Sequence, residues 1–242
     1  MQKVLVLIPT YNEAPSIARL LERLQKVREN YANKYDIDVL IIDDNSPDNT
    51  VGIIKSLQMS KLSILNRVEK NGLGPAYLAG FKQGLAGNYQ YFVEMDADLS
   101  HQPEELPLLL DKASQNSFVI GTRWMPGGMV VNWPKKREFI SRAGTKYASI
   151  MLKLPYRDLT SGYRVIPRKF LENLNMSAMQ TRGYGFQVEM AVKAAKDGLE
   201  IIEVPIKFVE REDGYSKMSL AIVWEAWAMV SIWGLRRLIF RR

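Results

Sequence analysis

Short apolar runs alternate with longer amphipathic segments through the first 120 residues of the chain. The apolar runs predict five strands, at Val4–Ile8, Val39–Ile42, Ser63–Leu65, Tyr91–Met95 and Phe118–Ile120. The segments between them predict helices at Pro15–Glu29, Pro47–Leu57, Pro75–Leu85 and Pro103–Lys112. Strands and helices that alternate at this spacing indicate βαβ units, and therefore an α/β fold with a mainly parallel sheet flanked by helices.

The pattern is less regular after Gly121. Trp124–Lys136 is rich in Gly, Pro and Trp and predicts a loop, whereas Arg137–Leu152 and Gln187–Lys196 predict helices. Ile201–Phe208 predicts a strand whose internal proline favours an edge position. No clean linker interrupts the sequence, so we predict one domain at 1–217 and a C-terminal segment at 218–242.

The C-terminal segment has the pattern of a helix at a membrane surface. Leu220–Leu235 spans 16 residues with one charge, Glu225, whereas a helix that spans a bilayer needs about 20 residues. Trp224, Trp227 and Trp233, with four terminal arginines, favour an amphipathic helix in the interface. A helix packed against the core or a partner is one alternative, and a spanning helix is another.

Composition and charge narrow the chemistry. The 242 residues include no cysteine and one histidine, His101, which excludes disulfides, thiolate catalysis and multi-histidine metal sites and favours an intracellular setting. Residues 1–120 carry a net charge of −3 and residues 121–242 a net charge of +10. This asymmetry suggests binding to nucleic acid, an anionic membrane or phosphorylated substrates, although a solvated surface also explains it.

Polar residues follow three of the predicted strands, at Pro9–Glu13, Asp43–Ser46 and Asp96–Asp98. Ligands of doubly wound sheets bind outside the carboxyl ends of the strands, so these sets can converge. Asp96 and Asp98 share one face of an extended chain. Neighbouring carboxylates need a neutralising cation, and hard oxygen ligands suit Mg²⁺ or Mn²⁺. Alternatively, Asp98 or Ser100 caps the helix that begins near Pro103 and no metal is present.

Two further patterns bear on phosphate binding. Gly72 and Gly74 lack the third glycine of a dinucleotide fingerprint, because position 77 is tyrosine, so we expect them to shape a turn near the ligand. Arg137 and Ser141 are four residues apart on a predicted helix and share a face that can hold a phosphate.

The motifs PTYNE, DDNSPDNT, DADLSHQPEE, GTR, DLTSGYR and REDGYSK occur in this order over residues 3–217. This ordered set resembles the dolichol-phosphate (polyprenol-phosphate) mannosyltransferases, which are inverting family 2 glycosyltransferases of the Rossmann-like GT-A fold. The resemblance implies transfer of mannose from GDP-mannose to dolichyl or polyprenyl phosphate, giving polyprenyl β-D-mannosyl phosphate and GDP.

The resemblance also implies roles for individual residues. The nucleotide sugar would be bound by Pro9, Tyr11, Glu13, Ile42, Asp44, Asp96, Ala97, Asp98, Arg123, Arg211 and Lys217. Asp96 and Asp98 would hold Mg²⁺ or Mn²⁺, and Arg123 would join them as a catalytic residue. Arg137 and Ser141 would bind the acceptor phosphate. Some relatives have Gln two places after the second aspartate; here Ser100 stands there, which puts a third protein ligand in doubt.

The implied partners are GDP-mannose, the lipid phosphate, a membrane surface and a membrane-anchoring subunit, with no nucleic acid, and the implied location is peripheral, on the cytoplasmic face of a membrane. Two alternatives stay open. A polyprenyl-phosphate glucosyltransferase using UDP-glucose would perform the same chemistry. A non-catalytic module that binds anionic lipid or RNA would use the basic half of the chain and would not need Asp96 and Asp98.

Overall fold

A seven-stranded sheet forms the centre of the protein. The computed structural model describes residues 1–179, 181, 183–211 and 227–235. Its strands are β1 (Gln2–Thr10), β2 (Tyr35–Asp43), β3 (Leu62–Asn66), β4 (Tyr91–Glu94), β5 (Ser117–Thr122), β6 (Met129–Val131), β7 (Arg164–Pro167), β8 (Glu200–Pro205) and β9 (Lys207–Val209). The large sheet has the order β3-β2-β1-β4-β7-β5-β8, and β6 pairs with β9 separately. The predicted α/β class with a mainly parallel sheet is confirmed.

Helices cover both faces of the large sheet. They are α1 (Ala14–Asn30), α2 (Thr50–Ser56), α3 (Leu73–Leu85), α4 (Leu106–Leu110), α5 (Lys135–Leu152), α6 (Arg168–Asn173) and α7 (Tyr184–Lys196), with 3₁₀ turns at Pro103–Glu105 and Met176–Ala178. In β1, Val4, Val6 and Ile8 pack into one buried cluster with α1, whereas Leu5 and Leu7 pack into a second cluster with α3. A sheet covered on both faces explains why its strands read as continuous apolar runs.

The predicted strands and helices of the first 120 residues are all present, with shifted ends. Two features of the less regular half also agree: β8 lies at the sheet edge, and it ends at Pro205. The loop predicted at Trp124–Lys136 needs one correction. Met129–Val131 forms β6, because the chain beyond Pro205 continues as β9 and supplies a parallel partner strand.

The sequence-based prediction missed β7, which runs antiparallel between β4 and β5. It is four residues long and begins with Arg164, a fully buried charged residue that disguises the strand pattern. The guanidinium of Arg164 is accommodated because it donates to the carbonyl oxygens of Leu159, Ser161 and Gln187 at 2.8, 2.8 and 2.6 Å. Three hydrogen bonds offset part of the cost of burying the charge.

Part of the predicted C-terminal segment is described. Residues 227–235 are helical and pack on α5, where Tyr147 stacks on Trp227 with ring centroids 4.6 Å apart. The remainder of 218–242, including Trp224, lies outside the described residues. Within the described ranges, no helix combines the length and apolar character that crossing a membrane requires. The boundary predicted at residue 217 stays a prediction.

Candidate active site

The carboxyl ends of β2, β1 and β4 lie side by side. These strands are adjacent and parallel, so the loops that follow them open on one edge of the sheet. A cavity of about 460 Å³ lies at this edge, a volume typical of small-molecule sites. Gly72, at φ 112°, turns the chain into α3 beside this cavity, which is the role expected from the Gly72–Gly74 pattern.

All but two of the predicted site residues line this cavity: Pro9, Tyr11, Glu13, Asp44, Asp96, Ala97, Asp98, Arg123, Arg137, Ser141 and Arg211. Ile42 does not line it, because its side chain is buried in the core against Gly80 of α3. Lys217 lies outside the described residues. The fold thus brings the proposed donor and acceptor residues into one space, while their individual roles stay predictions.

Asp44 forms a buried ion pair after β2. Its Oδ1 lies 2.6 Å from Nη1 of Arg67, and both side chains are largely buried. Burial raises the pKa of Asp44, and the charge of Arg67 opposes that rise. Lys70 lines the same end of the cavity, with its ammonium 4.2 Å from the ring centroid of Tyr11. The sequence-based prediction missed Arg67 and Lys70, although their position just after β3 placed them at the same sheet edge.

Asp96 and Asp98 reach the cavity from the loop after β4, with side chains 33% and 10% exposed. Asp98 Oδ2 lies 3.0 Å from Nη2 of Arg211, and Asp98 Oδ1 accepts the N–H of Ser100 at 3.0 Å. One oxygen of Asp98 therefore closes a local turn. The helical turn at Pro103 receives no side-chain cap, so the capping alternative is not what holds Asp98.

His101 supports the backbone of Asp96. Its Nδ1 accepts a hydrogen bond from the Asp96 N–H at 3.1 Å. Its ring stacks on the ring of Tyr163, with centroids 4.9 Å apart, and contacts the ring of Phe208 edge-on, with centroids 5.4 Å apart. Burial lowers the pKa of His101 to about 3, against the opposing effect of Asp98, so the ring is neutral. A neutral ring wedged between two aromatic side chains orients the loop and supplies no charge. Sequence reasoning used this histidine only to exclude a multi-histidine site.

The carboxylates of Asp96 and Asp98 fit a divalent cation, provided that other oxygens complete its coordination. They supply the hard oxygen ligands that Mg²⁺ and Mn²⁺ prefer. Among the described residues, no cluster of three or more His, Cys, Asp or Glu side chains could hold a metal. Ser100, the position of the doubtful third ligand, is buried and does not line the cavity. Water or substrate phosphate oxygens would complete such a site.

Arg123 is held in a bidentate ion pair. Its Nε and Nη2 each donate to the carboxylate of Asp158 at 2.7 Å, and Nη2 also donates to Thr160 Oγ1 at 3.1 Å. Asp158 is fully buried and also accepts the backbone N–H of Arg123 at 3.1 Å. The guanidinium lies 5.4 Å from the ring centroid of Trp133. This pairing fixes the direction of Arg123, and the partner comes from the DLTSGYR motif, which sequence reasoning had left unassigned.

Helix α5 presents Arg137 and Ser141 to the cavity, one helical turn apart. Arg137 Nη1 donates to both carboxylate oxygens of Glu210, and its guanidinium lies 4.1 Å from the ring centroid of Trp133. Both members of this ion pair are about one-fifth exposed. An incoming anion can therefore displace Glu210 from Arg137, whereas Arg123 lines the cavity but keeps its buried pair with Asp158.

Beyond Arg137 the cavity becomes apolar. Its lining there consists of Ile140, Gly144, Tyr147, Ala148, Trp227 and Val230. The hydroxyl groups of Tyr147 and Ser231 are hydrogen-bonded at 2.6 Å, which ties α5 to residues 227–235. One space therefore runs from carboxylates and arginines to a surface suited to a hydrocarbon.

The model of the family described as "Glycosyl transferase family 2" matches residues 5–174. The chain belongs to glycosyl transferase family 2. This membership confirms the family inferred from the ordered motifs. An undecaprenyl-phosphate mannosyltransferase from Micrococcus luteus is 47% identical over 96% of this chain and 94% of that protein. A polyprenol monophosphomannose synthase from Mycolicibacterium smegmatis is 40% identical over 97% of this chain and 88% of that protein.

Solved structures of other glycosyltransferases share the fold. Glucosyl-3-phosphoglycerate synthase from Mycobacterium tuberculosis, in complex with Mn²⁺, uridine diphosphate and phosphoglyceric acid, matches with a TM-score of 0.73 at 16% identity, over 96% of this chain and 78% of that chain. Mannosyl-3-phosphoglycerate synthase from Rubrobacter xylanophilus matches with a TM-score of 0.66 at 17% identity, over 99% and 74%. These matches confirm the predicted GT-A-like fold.

Proposed function

We propose that this family 2 glycosyltransferase transfers mannose from GDP-mannose to a dolichyl or polyprenyl phosphate, with inversion at the anomeric carbon and release of GDP. The observation that carries the proposal is one cavity that joins strand-end carboxylates to an arginine–serine pair and then to an apolar lining. The printed names of the two relatives, which match nearly the whole chain, support mannose as the sugar and a polyprenol-type acceptor.

The strand-end part of the cavity would bind the nucleotide sugar. Tyr11, Glu13 and Asp44 would contact the nucleoside, since they line the cavity at the ends of β1 and β2. Asp96 and Asp98 would hold Mg²⁺ or Mn²⁺, whose charge would offset the charge that develops on the departing diphosphate. Arg211, 3.0 Å from Asp98, places a guanidinium beside the same phosphates. Lys217 stays a further predicted phosphate contact.

The α5 part of the cavity would bind the acceptor. Arg137 would exchange its contact with Glu210 for the lipid phosphate, and Ser141 would add a hydroxyl donor. The prenyl chain would follow the apolar lining. Phe139 and Ile150 on α5 are 73% and 65% exposed, which supports a peripheral position at a membrane, and we place it on the cytoplasmic face. A membrane-anchoring partner subunit stays an expectation from the resemblance.

The proposed chemistry makes little demand on a general base. A phosphate oxygen is already ionised near pH 7, so attack requires positioning and charge stabilisation. The acceptor oxygen forms its bond to the anomeric carbon while the bond to the GDP oxygen breaks on the opposite side, which gives the β configuration. Arg123 and Arg211 would stabilise the charge moving onto the diphosphate, and the buried pairing with Asp158 holds Arg123 in place without reorganisation.

A donor panel with and without chelator tests this proposal. Purified protein is incubated with polyprenyl phosphate in detergent and with radiolabelled GDP-mannose or UDP-glucose, and the lipid product is separated and its anomeric configuration determined. We expect transfer from GDP-mannose alone, its loss in EDTA and its return with Mg²⁺ or Mn²⁺. Transfer from UDP-glucose alone would show that the donor is UDP-glucose and not GDP-mannose. Equal transfer in EDTA would show that the reaction needs no divalent metal. Binding to anionic vesicles or RNA without any transfer would favour the non-catalytic alternative.

A further inference from the structure

Gln187, near the start of α7, has an unusual side chain. It lines the cavity, is 1% exposed, and neither its Oε1 nor its Nε2 forms a hydrogen bond within the described part of the chain. The Glu94 carboxyl is the neighbour of this amide, and a side-chain hydrogen bond from Gln187 lowers its pKa, although neither group has a partner at normal length and angle. A buried amide whose polar neighbour is joined to it only by a distorted contact costs stability, and such a cost in a ligand cavity points to a ligand that satisfies it.

Gly162 and Asp96 line the cavity beside this amide. A Cβ atom placed on Gly162 would lie 3.5 Å from His101 Cε1, 3.6 Å from Asp96 Oδ1 and 3.7 Å from Gln187 Nε2. These are ordinary van der Waals distances, so a methyl group on Gly162 would fit without displacing the protein, and the glycine leaves Asp96 and Gln187 together at the cavity wall. A ligand group that approaches Gly162 from the cavity would meet a carboxylate oxygen and a carboxamide together, a combination suited to a hydroxyl that donates to one and accepts from the other.

The backbone that carries this amide is also held in place. Arg164 donates to the backbone carbonyl of Gln187 at 2.6 Å and to those of Leu159 and Ser161 at 2.8 Å. One buried guanidinium thereby ties the first turn of α7 to the loop that carries Gly162. The backbones of Gly162 and Gln187 are fixed relative to each other, as a site that discriminates between similar sugars requires.

We propose that Gln187 binds a hydroxyl group of the transferred sugar beside Asp96 and Gly162, and so helps to select the donor sugar. This inference rests on the proposed function, because it assumes that a hexose enters this cavity on a nucleotide. A site built to hydrogen-bond a hydroxyl rejects analogues that lack it far more strongly than an apolar pocket rejects a similar change in size. In this proposal other residues bind the nucleotide, and Gln187 does not contact it.

The deciding experiment compares Gln187→Met with the wild type on GDP-mannose and on its 2-, 3-, 4- and 6-deoxy analogues. We expect kcat/KM with GDP-mannose to fall on the order of 10- to 100-fold, while the affinity for GDP stays within about twofold. One deoxy donor should be disfavoured on the order of tenfold or more by the wild type and hardly at all by the variant. The matched control, Gln83→Met on the exposed surface of α3, should behave as the wild type.

Folding is monitored through Tm at pH 5, where the raised pKa keeps Glu94 protonated. The Tm of Gln187→Met should not fall there, because no buried carboxylate loses a supporting amide. Gly162→Ala is the second variant. Its methyl group lies at contact distance from Asp96 and Gln187, so Tm and GDP affinity should be retained while kcat/KM falls on the order of tenfold or more.

The outcomes separate the two levels of inference. If the wild type transfers mannose but Gln187→Met keeps the same discrimination against every deoxy donor, Gln187 only packs and the inference is wrong. A parallel loss of GDP affinity would also overturn it, since the amide would then act on the nucleotide. If the wild type transfers another sugar instead of mannose, the proposed donor fails, and the deoxy series of that sugar decides the role of Gln187. A wild type that transfers no sugar overturns both.

Discussion

The two ends of the cavity are built in different ways. The strand end, with Asp44, Asp96 and Asp98, lies on short loops that follow three adjacent parallel strands. Local hydrogen bonds hold these loops, such as the one from the N–H of Ser46 to the Asp43 carboxylate at 2.9 Å. The helix end, with Arg137 and its apolar neighbours, depends on contacts between α5 and residues 227–235, which are far apart in sequence.

The difference matches what each end has to bind. Stabilising a charge that develops during a reaction requires groups fixed in advance, because reorganisation at that moment is costly. A prenyl chain requires only apolar surface, which tolerates small shifts of helices. The contrast between Arg123, locked to Asp158, and Arg137, within reach of an incoming anion, is the same difference at the scale of one side chain.

Breaking the locked pair should have the largest effect. Asp158→Ala leaves the buried guanidinium of Arg123 without its partner and should lower the free energy of unfolding by about 3–5 kcal/mol. Denaturant unfolding measures this loss. The double variant Arg123→Met with Asp158→Leu removes both charges and should recover much of the stability but not the transfer activity. If Asp158→Ala is as stable as the wild type, the ion pair between Arg123 and Asp158 does not stabilise the fold.

Removing one strand-end carboxylate should have a smaller effect on stability and a large one on catalysis. Asp98→Asn keeps the side-chain shape but removes the charge that faces Arg211 and the proposed cation, so kcat should fall on the order of 10²- to 10³-fold. Steady-state mannosyl transfer measures the change. The control Asp197→Asn alters an exposed carboxylate away from the cavity and should leave kcat unchanged; normal turnover by Asp98→Asn would rule out the proposed role of Asp98.

The raised pKa of the buried Glu94 carboxyl group, at the end of β4, can be tested through the pH dependence of stability. Burial raises its pKa to about 7, against the lowering effects of Arg164 and Gln187. Because the folded state holds the proton more tightly than the unfolded state, the free energy of unfolding should decrease as pH rises from about 4.5 to 7, by on the order of 3 kcal/mol. Glu94→Gln lacks this titration and should gain stability relative to the wild type over the same interval.

The Glu94 comparison is made by denaturant unfolding between pH 5 and 8 in EDTA, so that no divalent cation alters the nearby charges. The control Glu200→Gln changes an exposed carboxyl group at the start of β8 and should follow the wild type at every pH. Parallel pH profiles for the wild type and Glu94→Gln would contradict the raised pKa.

The helix end should yield the smallest effect. Arg137→Met should raise KM for polyprenyl phosphate on the order of tenfold, because the variant loses a charge-assisted contact with the acceptor phosphate. GDP affinity and Tm should stay near the wild-type values. Kinetics at varied acceptor concentration measure KM. The exposed neighbour Lys136 supplies the control as Lys136→Met. Equal weakening of donor and acceptor binding in Arg137→Met would mean that the two ends are not separate.

The sequence predicts residues that directly follow parallel strands better than residues whose role depends on a tertiary contact, for a physical reason. Parallel strands leave apolar runs, and the polar residues that follow neighbouring strands must meet at one sheet edge, so Asp44, Asp96 and Asp98 could be grouped in advance. The same logic cannot identify Asp158 or Gln187. Each becomes informative only through a tertiary contact, Asp158 as the partner of Arg123 and Gln187 as a buried amide left unpaired.

Arg164 shows the same limit for the fold. Its charge hides a central strand, because no local pattern reveals that three carbonyl groups will surround the guanidinium. Ordered motifs and strand periodicity were therefore enough to predict the family and the fold. The contacts that hold the arginines could be learned only from the three-dimensional structure.

The reversed strand β7 has a consequence for how the protein is made. β4 ends at Glu94, but its neighbour on one side, β7, begins only at Arg164, after β5 and α5 have left the ribosome. During synthesis β1 to β4 can assemble early, while the open edge of β4 waits for a segment encoded some seventy residues later. Pairing across that separation is slow because the intervening chain must first be ordered. We therefore expect the part of the sheet beside Asp96 and Asp98 to be completed only after β7 has been made and has paired with β4.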